Sequence, residues 1–110
     1  MKPVIWLASS LEEIRRFPEG TRRDLGYQLF RIQSGLEPND AKPMASIGSG
    51  VMEIRIHQGR EFRVVYVAKY REAIYVLHAF EKKTRKTPGR DIALAQARFR
   101  VLVQERKAKS

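Results

Sequence analysis

The sequence of 110 residues contains no cysteine, which excludes disulfide bonds, thiolate zinc sites and cysteine nucleophiles together. It has no long hydrophobic run: the amino-terminal MKPVIWLASSLEEI is too short in apolar residues for a signal peptide, and no other segment approaches a membrane span. It also lacks a glycine-rich phosphate loop, a serine nucleophile elbow and a His/Asp/Glu cluster at metal-ligand spacing. We therefore expect a cytoplasmic protein with no metal, no cofactor and no membrane partner.

Acidic residues are scarce: 12 Asp and Glu stand against 22 Lys and Arg, a formal net charge of +10. The excess lies at the carboxyl end, where residues 81–110 carry ten basic and three acidic residues. A net charge of about 2 to 8 already keeps a small domain soluble. The surplus therefore indicates a polyanionic partner such as nucleic acid, an acidic protein or an anionic surface.

The length allows one hydrophobic core and is too short for two, so we expect a single domain spanning residues 1–110. The predicted elements are a strand at 2–7, helices at 10–17 and 21–34, strands at 51–57, 61–69 and 74–80, and a helix at 88–106. A capping box is expected at Ser10–Glu13, a long loop at 37–50 and fraying after 106. The fold class is α+β, with a small antiparallel sheet mixed at one edge, two N-terminal helices packed on it and a C-terminal helix.

The segment Ala73 to Pro88, AIYVLHAFEKKTRKTP, joins an apolar strand to a dense cationic tract. Strand alternation predicts two faces for it, with Ile74, Val76, His78 and Phe80 on one and Tyr75, Leu77 and Ala79 on the other. Lys82, Lys83, Arg85 and Lys86 follow directly, and Thr87 with Pro88 predicts the start of the last helix. We expect this tethered tract to bind phosphate, and Arg55, Arg63 and His78 to share one surface of the sheet.

These residue types suit cleavage of RNA by attack of its own 2′-hydroxyl on the adjacent phosphate. The substrate brings the nucleophile, so the protein needs a base, an acid and cations that stabilise charge on phosphorus. His78 suits the base or acid, because the ordinary pKa of a histidine side chain lies near neutrality. Crowded cations can depress a lysine pKa, so that Lys82 or Lys83 could share that role, and Phe80 can stack a base.

Structural alternatives stand beside these roles. A lone strand histidine such as His78 is more often a satisfied structural residue than a catalyst. Phe80 equally suits the core. Arg55 can form a surface ion pair with Glu53 or Glu61. The arginines of the second helix can touch nucleic acid or an antagonist protein, although a solvated face is the simpler reading.

FRVVY at 62–66, VLHAFEKKTRKTP at 76–88 and a last helix with Ala93, Ala97 and Arg98 closely resemble the RelE/ParE superfamily of toxins from bacterial toxin–antitoxin systems. Within it the sequence is most similar to the phage-derived, HigB-like branch. The segment HxFxKKTxKTP is fairly specific, and the order β-α-α-β-β-β-α spans essentially the whole chain. One departure is that the closing QERKAKS has no tyrosine where classical members place a catalytic one, so His78 would have to take that role, or catalysis would rest on charge stabilisation.

The resemblance implies a metal-independent endoribonuclease that cuts mRNA on the ribosome and inhibits translation. It also implies a helix-turn-helix, HigA-like antitoxin that forms a hetero-oligomer with the toxin. The candidates it implies by position are Arg55, Arg63, His78, Phe80, Lys82 and Lys83. We predict that the catalytic residues are Arg63, His78, Lys82 and Lys83, and that the RNA-binding residues are Arg55, Arg60, Phe80, Arg85 and Lys86. Fold alone does not settle activity, because ParE-like members inhibit DNA gyrase and cut nothing. A basic nucleic-acid-binding module is a further alternative.

Overall fold

The computed structural model describes residues 1–109. In chain order the elements are β1 (Val4–Trp6), α1 (Ser10–Arg15), α2 (Glu19–Gln33), β2 (Ala41–Pro43), β3 (Val51–Gln58), β4 (Arg60–Val67), β5 (Ile74–Glu81) and α3 (Gly89–Lys109). The strands form one sheet in the order β1-β5-β4-β3-β2. Every neighbouring pair is antiparallel except β1 and β5, which are parallel. The predicted α+β class, with a sheet mixed at one edge, is therefore confirmed.

The first face of the sheet packs against α1 and α2. Its buried cluster contains Ile14, Phe17, Leu25, Leu29, Ile32, Ile54, Ile56, Phe62, Val64, Tyr66, Ile74, Val76 and Ala79. The helices contribute residues at intervals of three and four and the strands contribute alternate residues, as the two periodicities require. The rings of Phe17 and Phe62 meet at 4.7 Å between centroids and join the end of α1 to the sheet.

The second face packs against α3 and the segment before β3. Its cluster contains Met44, Ile47, Val51, Val65, Val67, Ala73, Tyr75, Leu77, Phe80, Ala95 and Leu102. The helix approaches closely at Gly48, where an added Cβ would lie 2.2 Å from the Phe99 ring. Because α3 lies chiefly on β5, it leaves part of β3 and β4 on this face without a helix over it.

A β-bulge in β5 corrects the predicted alternation of this strand. Val65 pairs with His78, but the next residue, Tyr66, pairs with Val76, so Leu77 is an extra residue in the ladder. Beyond the bulge the faces exchange: Ala79 packs on the first face, and Phe80 joins Tyr75 and Leu77 on the second. The prediction that Ile74, Val76, His78 and Phe80 share one face is therefore wrong.

The predicted loop at 37–50 contains a short strand, β2, paired with the edge of β3. Three residues are too few to show alternation in the sequence. Their strand conformation comes from the pairing of β2 with β3. Pro43 has no backbone N–H, and it is tolerated because β2 is an edge strand with no further strand to pair with.

Several helix ends also differ from the prediction; helix α2, for example, begins at Glu19 and not at residue 21. The predicted capping box would make Ser10 the N-cap residue, but helix α1 already begins at Ser10 and Ser9 is the N-cap. Neither serine forms a side-chain cap bond. Helix α3 continues through residues 106–108 to Lys109, so the expected fraying is wrong there. Within residues 1–109, the helices are all too short or too polar to cross a membrane.

Candidate functional site

The uncovered part of the second face carries a group of charged side chains, which we call the open cluster: Lys42, Glu53, Arg55, Arg63 and Lys82. The sheet register brings these residues together. Lys42 lies beside Glu53, Arg55 beside Arg63, and Arg63 beside Phe80. The open cluster therefore spans β2, β3, β4 and the residue that follows β5, because equivalent positions of neighbouring strands point to the same face.

Glu53 lies at the centre of the open cluster, and only 1% of its surface is exposed. Its Oε1 atom is 3.7 Å from Arg63 Nε, and its Oε2 atom has no hydrogen-bond partner. Burial raises the pKa of the Glu53 carboxyl, and the charges of Arg63, Lys42, Lys82 and Arg55 oppose that rise. The site thus combines a carboxyl that accepts a proton more readily than usual with four cations.

The two arginines of the open cluster are already engaged by carboxylates. Arg63, 6% exposed, donates to Glu61 at 3.1 Å and to the Phe62 carbonyl at 3.0 Å. Arg55 donates through Nε to Asp40 at 3.1 Å. The ion pair of Arg55 is thus formed with Asp40, and not with Glu53 or Glu61 as the sequence suggested. Both carboxylates stand where phosphate oxygens would have to bind.

His57 joins these two carboxylates, and we call Asp40, His57 and Glu61 the carboxylate bridge. The His57 ring lies 2.8 Å from Asp40 through Nε2 and 2.8 Å from Glu61 through Nδ1. Hydrogen bonds to Asp40 and Glu61 raise the pKa of His57. The same bonds to His57 lower the pKa of Asp40 and of Glu61. Protonated His57 therefore holds both carboxylates in place on the arginines.

A second charged group on this face, the closed cluster, contains Glu13, His78, Asp91 and Arg98. The His78 ring lies 3.0 Å from Glu13 Oε1 and 2.7 Å from Asp91 Oδ1, using both ring nitrogens. Arg98 donates to Glu13 at 3.0 Å and to the carbonyl of Leu77, the bulge residue, at 2.9 Å. The closed cluster therefore ties α1, β5 and α3 together at the bulge.

The closed cluster is buried and well supplied with partners. His78 is 3% exposed, and its ring stacks on that of Phe80 at 5.3 Å. Burial acts to raise the pKa of Glu13, but hydrogen bonds from Arg98 and the Ala79 N–H, with the charge of His78, leave it lowered. His78 cannot exchange a proton with a substrate unless it gives up Glu13 or Asp91. These surroundings favour the structural alternative for His78, and its catalytic role stays a prediction.

The other predicted site residues lie at different distances from the open cluster. Lys83, Arg85 and Lys86 are exposed in the connection between β5 and α3. Arg60 lies beyond the end of the first face, where it contacts Phe62 at 5.3 Å and binds Glu81 at 2.7 and 2.8 Å. The structure thus brings together Arg55, Arg63, His78, Phe80 and Lys82 on one face and separates Arg60 from them.

The sequence prediction missed the acidic residues of the site. Glu53 alternates with Arg55 along β3, so its place on the polar face was readable, but its burial depends on Lys42 from the unpredicted strand β2. Asp40 and Glu61 join the arginines only through tertiary contacts. Among residues 1–109, no group of three or more His, Asp or Glu has an arrangement that could hold a metal ion.

The fold is α+β with a mixed five-stranded sheet, which is consistent with the RelE/HigB-like toxin group that the sequence resembles. The model of the phage-derived Gp49-like protein family matches residues 12–100. The chain therefore belongs to the Gp49-like family, which falls broadly within that toxin group. A search of curated proteins found no significant match.

Proposed function

We propose that this protein is the toxin of a toxin–antitoxin system and inhibits translation by cutting mRNA on the ribosome. One observation carries the proposal: four cations surround a buried carboxyl of raised pKa on the part of the second sheet face that α3 leaves uncovered. Membership of the Gp49-like family is consistent with it. The excess of positive charge suits a phosphate backbone, and the carboxyl supplies a proton acceptor.

The reaction requires one bond to form and one to break at phosphorus. The RNA 2′-hydroxyl gives its proton to Glu53, its oxygen attacks the adjacent phosphorus, and the bond from phosphorus to the 5′-oxygen breaks. Lys82 supplies a proton to that leaving oxygen, a role that Lys83 can share from the connection to α3. Arg55 and Arg63 stabilise the charge that develops on the two remaining phosphate oxygens. The products are a 2′,3′-cyclic phosphate and a free 5′-hydroxyl.

RNA can reach the buried Glu53 carboxyl because the charged side chains around it are long and can move. A phosphate at the open cluster would draw the long side chains of Lys42, Arg55 and Lys82 toward itself, because opposite charges at short range attract strongly. Glu53 Oε2, which has no partner, then becomes available to the 2′-hydroxyl. Hydrogen bonds of this kind often form only once the substrate is bound.

A helix-turn-helix antitoxin is the proposed partner. The formal charge of +10 favours an acidic surface on that protein, because complementary charge speeds association and excludes wrong partners. An antitoxin that covers the open cluster would block the arginines from phosphate.

The test is controlled expression of the wild type, Arg55→Ala and Glu53→Gln, followed by growth measurement and primer extension on cellular mRNA. Arg55 is half-exposed and Gln keeps the shape of Glu53, so both variants are expected to fold. We expect cuts within translated reading frames for the wild type. Each variant should cut less by about 100-fold or more, the usual effect of removing a group that stabilises the transition state.

Arg15→Ala is the matched control, since it removes the same charge from an exposed residue of α1 outside the open cluster. It should keep most of the cleavage. Full toxicity of both Arg55→Ala and Glu53→Gln would show that the site assignment is wrong. DNA damage with intact mRNA would instead support the alternative that the protein inhibits DNA gyrase.

A further inference from the structure

The outer face of α2 carries exposed aromatic side chains among arginines. Tyr27 is 53% exposed and Phe30 is 51% exposed, so neither ring packs into the core. Single exposed apolar residues are normal on protein surfaces, but these two are three positions apart and therefore adjacent on the helix. They lie about 4.5 Å apart along the helix axis at 1.5 Å per residue.

The arginines lie at helical spacing from the rings. Arg23, Tyr27 and Arg31 follow one another at intervals of four, and the Arg31 guanidinium lies 6.0 Å from the Tyr27 ring centre. Arg22 is also exposed on this helix. Of these three arginines, only Arg23 takes part in an ion pair within residues 1–109, with Glu19. The face therefore has a net positive charge.

Gly26 lies beside the two aromatic residues in the middle of α2. A Cβ built there would meet no atom within 4 Å, so no contact within the chain requires glycine. Glycine in a helix interior costs about 0.5–1 kcal/mol of stability relative to alanine. A glycine that the fold does not need, between exposed rings and arginines, leaves room for the backbone to be approached by another molecule.

We infer that this face of α2, formed by Arg22, Arg23, Gly26, Tyr27, Phe30 and Arg31, is a second RNA-binding surface that takes unpaired bases. Aromatic rings provide stacking platforms for bases and arginines bind the adjacent phosphates. A protein partner is the weaker reading, because the face has no exposed aliphatic residue between Glu19 and Gln33 for a protein interface to bury. The surface lies on the opposite side of the sheet from the open cluster, so it would hold RNA without cutting it.

The test measures binding alone, with a fluorescein-labelled 12-nucleotide oligouridine carrying 2′-O-methyl groups, which removes the nucleophile needed for cleavage. Fluorescence anisotropy is recorded for the wild type and for Tyr27→Ala/Phe30→Ala, with the single strand and with a duplex of the same length. Since stacking is worth about 1–3 kcal/mol per base, the double variant should bind the single strand about fivefold or more weakly. Its affinity for the duplex should not change, because paired bases are not free to stack.

Leu94→Ala/Val101→Ala is the matched control, since these residues are also large, apolar and exposed, but on α3. It should bind both oligonucleotides like the wild type. A Tyr27→Trp variant should keep the affinity for the single strand, and binding should quench the fluorescence of the new indole. A Leu94→Trp variant is the control, because it also adds a second tryptophan to the chain, but on α3. Single-strand affinity of the double alanine variant within twofold of wild type would overturn the inference, and so would equal losses for single strand and duplex. Neither result depends on whether the protein cleaves RNA.

Discussion

The closed and open clusters are both groups of charged side chains at the same sheet, yet their composition and surroundings differ. In the closed cluster, two carboxylates, a histidine and an arginine contact one another beneath α1 and α3. In the open cluster, four cations surround a single buried carboxyl, and both Glu53 Oε2 and Arg63 Nε lack hydrogen-bond partners. The two clusters therefore differ in their balance of positive and negative charge, and in whether helices pack over them.

Buried polar groups that find partners contribute to a unique fold, whereas unpartnered ones are costly and usually reflect another requirement. On this basis we expect the closed cluster to contribute chiefly to stability, and we propose that the open cluster is the functional site. Substitutions in the two clusters should therefore produce opposite phenotypes: lost folding in one and changed RNA chemistry in the other.

The largest expected effect is that of His78→Ala on stability. Removing the ring leaves Glu13 and Asp91 without their shared partner in a buried site, which typically costs about 3–5 kcal/mol. His57→Ala is the matched comparison, because His57 also lies between two carboxylates, but its side chain is 53% exposed. It should change the free energy of unfolding by less than about 1 kcal/mol. Urea denaturation measures both, and equal losses would contradict the distinction between the clusters.

Alternation along the strands was sufficient to predict one shared face for Arg55 and Arg63, and the structure confirms it. The same rule failed in β5, where every residue from Ile74 to Phe80 is buried. A strand that is apolar on both sides carries no pattern that would reveal a bulge. Only the shifted pairing of Tyr66 with Val76 shows where the faces exchange.

The environments of the site residues were harder to predict than their faces. His78 had the right residue type for catalysis, but its carboxylate partners come from α1 and α3, which are 65 and 13 positions away. The charges that act on Glu53 likewise come from β2, β4 and the residue after β5, as well as from its own strand. Such contacts depend on how the helices and strands pack, and the periodicity of each element contains no information about them.

A smaller effect is expected from the carboxylate bridge, which joins the two arginines to Asp40 and Glu61. Asp40→Asn and Glu61→Gln each remove a carboxylate that competes with phosphate for an arginine. We expect about threefold to tenfold tighter binding of the 2′-O-methyl oligouridine, about the worth of one exposed ion pair or a little more.

Glu105→Gln supplies the control for this gain, because it makes the same change in net charge at an exposed position of α3. A general electrostatic effect would strengthen binding equally in all three variants. In that case the carboxylates would not be competing with phosphate, and the arginines of the open cluster would already be accessible.

The smallest and sharpest comparison concerns the pH dependence of stability for Glu53→Gln and Glu13→Gln. The folded-state pKa of Glu53 is raised, chiefly by burial, above the ordinary value of 4.5. Its carboxyl therefore favours folding most below the unfolded pKa, and that contribution is lost as the pH rises through the folded pKa. Glu13 behaves oppositely: its folded pKa is lowered, so its contribution is present above the unfolded pKa and is lost as the pH falls.

Urea denaturation of the wild type and both variants between pH 3 and 8, at intervals of about half a unit, separates the two carboxyls. The difference in unfolding free energy between wild type and Glu53→Gln should fall as the pH rises, and that between wild type and Glu13→Gln should increase. Glutamine cannot ionise, so each difference isolates one carboxyl. If both differences changed in the same direction with pH, the two clusters would not shift the pKa of their carboxyls in opposite directions. The assignment of Glu53 as the proton acceptor would then lose its electrostatic basis.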